Sequence, residues 1–226
     1  MFILSQVIHY YVQNGKRLYT LFIDFQKAFD YIVHDNLWFK LINIGISGKM
    51  LKIMTSMYQN VRSKVFLNGI KSESFPIKVG VRQGECLSPF LFAMYINDLE
   101  EELQRADAGI TISHLKLFLL LYADDAVIFA ESAESLQNAI DQLYNYCFAW
   151  KLKLNTDKSK IMVFKRGRDV QNEQWFYGET KLNSTDCIKY LGIMFTRNGF
   201  FNMAQKTLAD QANKALFKLY RNLNNF

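Results

Sequence analysis

The sequence predicts an α+β fold. Segments of helical and of strand periodicity are mixed along the chain, without the regular strand–helix alternation of a doubly wound sheet. Of the 226 residues 50% are hydrophobic and 21% charged, the balance of a globular chain and not of a disordered one. That length buries a sizeable core unaided. The three cysteines, Cys86, Cys147 and Cys187, are scattered and form no CxxC pair, which argues against a disulfide framework and a zinc module.

Ile3, Leu4, Val7, Ile8, Tyr11 and Val12 recur at helical spacing, and Asn14-Gly15 is a stop signal. This pattern starts at Met1 with no cap, so we expect the chain to begin inside a helix of something longer. Leu18 to Phe25 reads as a buried strand. Helices are expected over about Asn36 to Ile44 and Gly48 to Tyr58, the second capped by Ser47. Val61 to Leu67 and Phe75 to Val79 read as a strand pair, with a turn signal at Asn68-Gly69. Ser88-Pro89 opens a helix to about Gln104. Leu117 to Tyr122 and Ala126 to Ala130 form a hairpin pattern around an acidic turn. An amphipathic helix covers Ser135 to Trp150. Strands follow at Lys160 to Phe164, Trp175 to Leu182 and Ile188 to Phe195, and a last helix spans Asn202 to Leu223.

The net charge is +6, and Lys151 to Arg168, with seven basic residues against one acidic, carries all of it. The longest apolar run, Leu117 to Ala123, is too short to span a bilayer. No basic region precedes the apolar N-terminus, so it makes a poor signal peptide. We therefore expect no membrane partner and an intracellular home, cytoplasmic or nuclear.

Two features carry chemistry. Asp124-Asp125 sits between two strongly apolar strands, where like charges repel; taken alone, a solvated turn explains it equally well. Asp24 lies inside the apolar strand LYTLFIDF, and a buried carboxylate needs a cation. If the three meet at one sheet edge, they form an all-oxygen site suited to Mg²⁺ or Mn²⁺ and not to Zn²⁺. Two such ions can activate an attacking hydroxyl and stabilise a leaving pyrophosphate oxygen.

YADD (Tyr122 to Asp125) with FIDFQKAFD (Phe22 to Asp30) upstream resembles the reverse transcriptases. VRQGECLSPFLF (Val81 to Phe92), LNTDKSKIMVF (Leu154 to Phe164) and KYLGIMF (Lys189 to Phe195) resemble that family's further palm motifs, in the same order, the last being its primer-grip hairpin. The wording is closest to the non-LTR, LINE-type retrotransposon enzymes. The resemblance covers nearly the whole chain.

It implies a polymerase palm, an antiparallel sheet backed by helices, over residues 1–200. The segment 31–84 would lie on the fingers side, and 201–226 would begin a thumb. The early fingers motifs and most of a thumb have no counterpart, so the chain resembles a fragment. The implied activity is RNA-directed DNA synthesis, adding dNTPs to a DNA primer 3′-hydroxyl on an RNA template. Asp24 and Asp124 would bind two Mg²⁺ or Mn²⁺ ions, with Asp125 peripheral and the Phe25 carbonyl completing one shell. Phe29 would exclude a 2′-hydroxyl, although it also reads as a core aromatic.

Gln83 can bridge template and nucleotide, and Gly84 permits close approach, unless they form an ordinary helix-entry loop. Lys158, or Lys160, would approach the triphosphate; a solvated charged loop is the plain alternative. Arg82 could meet phosphate. Lys165, Arg166 and Arg168 could contact nucleic-acid backbone, or be a hairpin tip or part of a nuclear-localisation patch. Tyr190 and Gly192 would help hold the primer end. A catalytically inactive remnant that only binds nucleic acid is the competing reading. An RNA-dependent RNA polymerase is disfavoured by YADD and by Phe29.

Overall fold

The structure, a computed structural model of the chain, describes residues 1–167, 173–200 and 202–223. The chain opens with helix α1 (Phe2–Gln13), ended by Asn14 and by Gly15 at φ +67°. Strand β1 (Leu18–Asp24) follows as expected. Helices α2 (His34–Asn43) and α3 (Gly48–Tyr58) come next. Ser47 precedes α3, but its side chain makes no capping hydrogen bond.

The expected hairpin of residues 61–79 is broken into two short ladders. β2 (Arg62–Ser63) pairs with β5 (Phe75–Pro76), and inside them β3 (Phe66–Leu67) pairs with β4 (Ile70–Lys71) across the Asn68-Gly69 turn. The helix expected from Ser88 is two helices, α4 (Leu87–Ile96) and α5 (Leu99–Arg105). Ser88 is not its cap. The Ser88 hydroxyl donates instead to the Arg82 carbonyl, tying the preceding loop to the helix start.

A small hairpin, β6 (Ile110–Ile112) with β7 (Leu115–Leu117), was not legible in the pattern. Then come β8 (Leu119–Tyr122), β9 (Asp125–Ala130) and α6 (Ala133–Trp150), the last capped by Ser132, whose hydroxyl accepts from the Ser135 N–H. β10 (Lys160–Phe164) is where the sequence places it. The single strand expected over 175–182 is a tight hairpin, β11 (Phe176–Tyr177) with β12 (Thr180–Lys181), and β13 (Asn183–Ser184) follows it. Ile188 to Phe195 is likewise a hairpin, β14 (Cys187–Tyr190) with β15 (Ile193–Thr196), turning at Leu191-Gly192. Helix α7 (Asn202–Leu223) closes the described chain.

The main sheet has the order β13-β10-β1-β9-β8. Its core is antiparallel; the one parallel pair is β10 with the short β13. Side chains alternate between two cores, as the pleat requires. Tyr19, Leu21 and Ile23 of β1 join Ala126 and Ile128 of β9 on the face covered by α4 and α6. Leu18 and Phe22 join Val127 and Phe129 on the opposite face, under α1 and the β14–β15 hairpin. This two-sided burial explains why β1 reads as a continuous apolar run.

A buried lysine pins the helical layer. Lys40 of α2 is 3% exposed and donates to the Tyr95 carbonyl, to Asp98 Oδ1 at 2.6 Å and to the Tyr146 hydroxyl at 2.6 Å. Its ammonium also sits 3.8 Å from the centre of the Trp150 ring. Asp98 lies in the break between α4 and α5, with its carboxylate drawn into this cluster. Burial pulls the Lys40 pKa down to about 8 despite the nearby Asp98.

Candidate active site

Asp24 is the last residue of β1, and in the register it lies directly opposite Asp125, the first residue of β9. Both share strand parity with Phe22 and Val127, so both project on the face covered by α1 and the β14–β15 hairpin. Asp124 occupies the two-residue turn between Tyr122 and Asp125, which are themselves paired. Ala123, the other turn residue, has φ +53°, a left-handed conformation that costs a residue with a Cβ about 1–2 kcal/mol. A tight hairpin needs a positive φ here, and it holds Asp124 at the tip.

The chain end of β1 is clamped from behind. The Asp24 N–H donates to the Ser159 hydroxyl at 3.1 Å, and the Asn155 N–H donates to the Asp24 carbonyl at 2.9 Å. Ser159 is fully buried. Phe25 forms an isolated bridge with Leu154. Ser159 is a positioning residue that the sequence reading passed over; a hydroxyl beside the N-x-x-K wording was its only signal.

Three carboxylates at one sheet end repel. Burial first, then the Asp124 and Asp24 charges, hold the Asp125 carboxyl above its ordinary value. Lys158 places its Nζ 3.9 Å from Asp24 Oδ2, with 70% of its side chain exposed. An exposed pair of that length contributes little. Among the described residues no three His, Cys, Asp or Glu side chains are already gathered closely enough to hold a metal ion. Fit therefore rests on the donor set. Hard oxygens, crowded negative charge and partial exposure suit an ion that keeps several waters and borrows phosphate oxygens.

Phe29, Gln83 and Gly84 share one cleft of about 550 Å³, with Cys86 and Pro89 on its wall. The Phe29 ring rests 5.3 Å from that of Phe92. Its carbonyl accepts from the Val81 N–H at 2.7 Å. Gly80 makes this possible: a Cβ there would lie 2.9 Å from the Asp30 carbonyl oxygen, and its φ is +87°. Gln83 Nε2 donates to Asp30 Oδ1 at 2.9 Å.

Arg82 is half-exposed but engaged, donating to Glu85 Oε1 at 2.8 Å and to the Met57 carbonyl at 2.7 Å. Tyr190 and Lys165, expected to face nucleic acid, are instead 7% and 8% exposed. The Tyr190 ring packs 5.3 Å from Phe22, and burial together with Asp125 pushes its hydroxyl up to about 12. What the β14–β15 hairpin presents outward is its turn, with Gly192 at φ +83° and exposed. Arg166 is exposed, and Arg168 lies outside the described residues.

Comparison with protein families settles the lineage. The family model described as reverse transcriptase (RNA-dependent DNA polymerase) matches residues 3–195. The chain belongs to the reverse transcriptase family. Curated relatives include the retrovirus-related Pol polyprotein from type-2 retrotransposable element R2DM of Drosophila melanogaster, 29% identical over 87% of this chain and 19% of its own length. The RNA-directed DNA polymerase from mobile element jockey of Drosophila funebris is 26% identical over 79% of this chain and 20% of its own.

The chain thus spans about a fifth of the length of these non-LTR retrotransposon relatives. Among solved structures, apo telomerase from Candida tropicalis, truncated from its C-terminal domain, covers 87% of this chain and 38% of its own at a TM-score of 0.60 and 16% identity. That likeness, with the antiparallel sheet backed by helices, establishes the fold as a polymerase palm. Reverse transcriptases use divalent metal ions and bind an RNA template and a primer. Among the described residues no helix is long and apolar enough to cross a membrane.

Proposed function

We propose that this chain is the catalytic core of an RNA-directed DNA polymerase, which adds dNTPs to a DNA primer 3′-hydroxyl on an RNA template in the cytoplasm or nucleus. One observation carries the reading: Asp24 opposite Asp125, with Asp124 in the adjoining turn, at the open end of a sheet buried on both faces. Asp24, Asp124 and the carbonyl of Phe25 would hold two Mg²⁺ or Mn²⁺ ions, with Asp125 as a peripheral helper. When bound, the ions would make the primer hydroxyl a better nucleophile and neutralise charge on the departing pyrophosphate.

The remaining residues position. Lys158, solvated beside Asp24, would meet the triphosphate. The Phe29 ring, braced by Phe92, would fill the space a 2′-hydroxyl needs. Gln83 would bridge templating base and nucleotide across the cleft it shares with Phe29. At Gly84 nothing stands within 4 Å of a would-be Cβ, leaving its backbone open to a ligand. Arg82 would act mainly by holding this loop. The Leu191-Gly192 turn would touch the primer, with Tyr190 as its buried support, and Arg166 would contact phosphate. In this scheme residues 1–200 are palm with a fingers-side segment 31–84, and 201–226 begin a thumb.

The test is primer extension on oligo(dT)-primed poly(rA) with dTTP and Mg²⁺ or Mn²⁺, beside the double variant Asp124→Asn, Asp125→Asn. Extension that vanishes in the variant supports a self-sufficient core. Retained RNA binding without extension would instead support a non-catalytic remnant.

A further inference from the structure

His34 takes no part in the chemistry assigned above, yet it sits where the shape of the Phe29 cleft is set. It is the first residue of α2 and is half-buried. Its ring lies edge-on to that of Tyr58 at 5.2 Å and tilted against that of Trp38 at 6.0 Å, which fixes its orientation. His34 Nε2 is 2.7 Å from the carbonyl oxygen of buried Gly80. A carbonyl can only accept, so Nε2 carries the hydrogen and donates.

The other end of the same peptide gives this bond its consequence. The Gly80 C=O and the Val81 N–H belong to one planar unit and point in opposite directions. The Val81 N–H donates to the Phe29 carbonyl at 2.7 Å. His34 thus holds one end of the peptide and Phe29 the other. Gly80 has no Cβ and a φ of +87°, so its own backbone resists little if that peptide turns over. Turned over, the unit would aim its oxygen at the Phe29 carbonyl, and the tie to Phe29 would be lost.

Neighbouring contacts anchor the chain on either side without replacing the bond. Before the peptide, the Gly80 N–H donates to the Ile32 carbonyl and Val79 bridges Val33. After it, the Arg82 guanidinium donates to the Met57 carbonyl. Between these anchors His34 and Phe29 are the hydrogen-bond partners of the Gly80–Val81 peptide among the described residues. The loop that follows carries Gln83 and Gly84, which face Phe29 across the cleft.

We propose that His34 is a positioning residue for nucleotide selection: it locks the Gly80–Val81 peptide, and through it the spacing between the Phe29 ring and the Gln83–Gly84 loop. The selective role rests on the polymerase reading; the lock itself rests on geometry alone.

Three variants of the whole chain separate the bond from the ring. His34→Phe keeps a ring against Tyr58 and Trp38 and removes the donor. His34→Gln removes the ring but carries an amide nitrogen as many bonds from Cβ as Nε2. His34→Asn stops one bond short. The first readout needs no turnover: NMR hydrogen exchange at the Val81 N–H. Exchange should quicken about fivefold in His34→Phe and His34→Asn, the factor one hydrogen bond is worth, and return near the parent rate in His34→Gln. The second readout is steady-state primer extension. His34→Phe should raise the KM for dTTP about fivefold while kcat holds within about twofold, and should narrow the preference for dTTP over UTP. His34→Gln should restore both. A loss of folded protein alone would lower kcat and leave KM where it was.

Val81 exchange at the parent rate in His34→Phe would overturn the proposal, as would a His34→Gln variant no better than His34→Asn. Should His34→Phe not fold, that Gln–Asn pair still decides. An altered Val81 exchange with unchanged KM and unchanged dTTP preference would overturn the selective role. An unaltered chain that extends no primer would overturn the polymerase reading and the selective role with it, while Val81 exchange still decides whether the lock exists.

Discussion

The end of β1 and the ribbon of residues 61–79 are opposite solutions to the same problem, a short strand carrying groups that do not suit it. β1 places a carboxylate at the tip of a strand whose other residues are buried on both faces and paired on both edges. The ribbon carries Phe66, Leu67 and Ile70, 65%, 69% and 74% exposed, on ladders of two residues each. Unfavourable charge is tolerated where the surrounding core fixes the backbone. Apolar side chains without a second layer fix nothing. The difference teaches that stability at the site is supplied from outside it.

Asp24→Asn should break the comparison most sharply. Primer extension should fall by about a hundredfold or more, the loss seen when a charge-stabilising group is removed. The Tm should hold or rise, because like charges opposite one another in a sheet destabilise it. A melting temperature well below that of the parent chain would show that Asp24 serves the fold and not the chemistry.

Lys40→Met should remove about 1–2 kcal/mol in urea unfolding, since it takes the ammonium away from a part-exposed Asp98 carboxylate and the Tyr95 carbonyl, which keep the Tyr146 hydroxyl as their remaining partner. Its pH signature follows from linkage. The folded Lys40 pKa is about 8 against an ordinary 10.5, so between those values the unfolded chain binds more protons. Lys40 therefore contributes stability that increases from about pH 8 toward 10.5. Equilibrium unfolding across that window should lose this contribution in Lys40→Met.

Gly80→Ala should cost about 2 kcal/mol, through strain at φ +87° and the clash with the Asp30 carbonyl. It should also disturb Phe29, whose carbonyl the next residue holds, so discrimination between dTTP and UTP should weaken in the same variant. Unchanged discrimination would separate Phe29 from sugar selection. In the ribbon, Ile70→Ser should shift stability by no more than about 0.5 kcal/mol, as measured by urea midpoint. A larger loss would mean that the ribbon is covered by a partner.

The carboxylates were legible because they are anomalies. Asp24 in LYTLFIDF and Asp124-Asp125 between apolar strands violate local preference, and such violations concentrate where function overrides packing. The long elements were legible from period alone, β1, α3, β10 and α6 among them. The two-residue ladders of 61–79 and 176–181 were not, since a period needs more residues than they have. Ser159 escaped notice because a buried serine looks like any loop serine until its partner is known. Tyr190 and Lys165 were expected at the surface because charge and hydroxyl suggest exposure; packing against Phe22 puts Tyr190 inside, and Lys165 is buried just past the end of β10, where its N–H donates to the Arg197 carbonyl.

By itself the sequence determined the strand that bears Asp24, the turn that bears Asp124, the loop of Gln83 and Gly84, and the family these wordings belong to. All of those are local: each follows from period, propensity and spacing within a few residues. Only the tertiary structure decided that Asp24 faces Asp125 across β1 and β9, that Lys40 gathers Asp98, Tyr146 and Trp150, and that the buried Tyr58 hydroxyl has no partner among the described residues. Those arrangements join residues tens of positions apart, and they depend on register and burial, which no local pattern encodes.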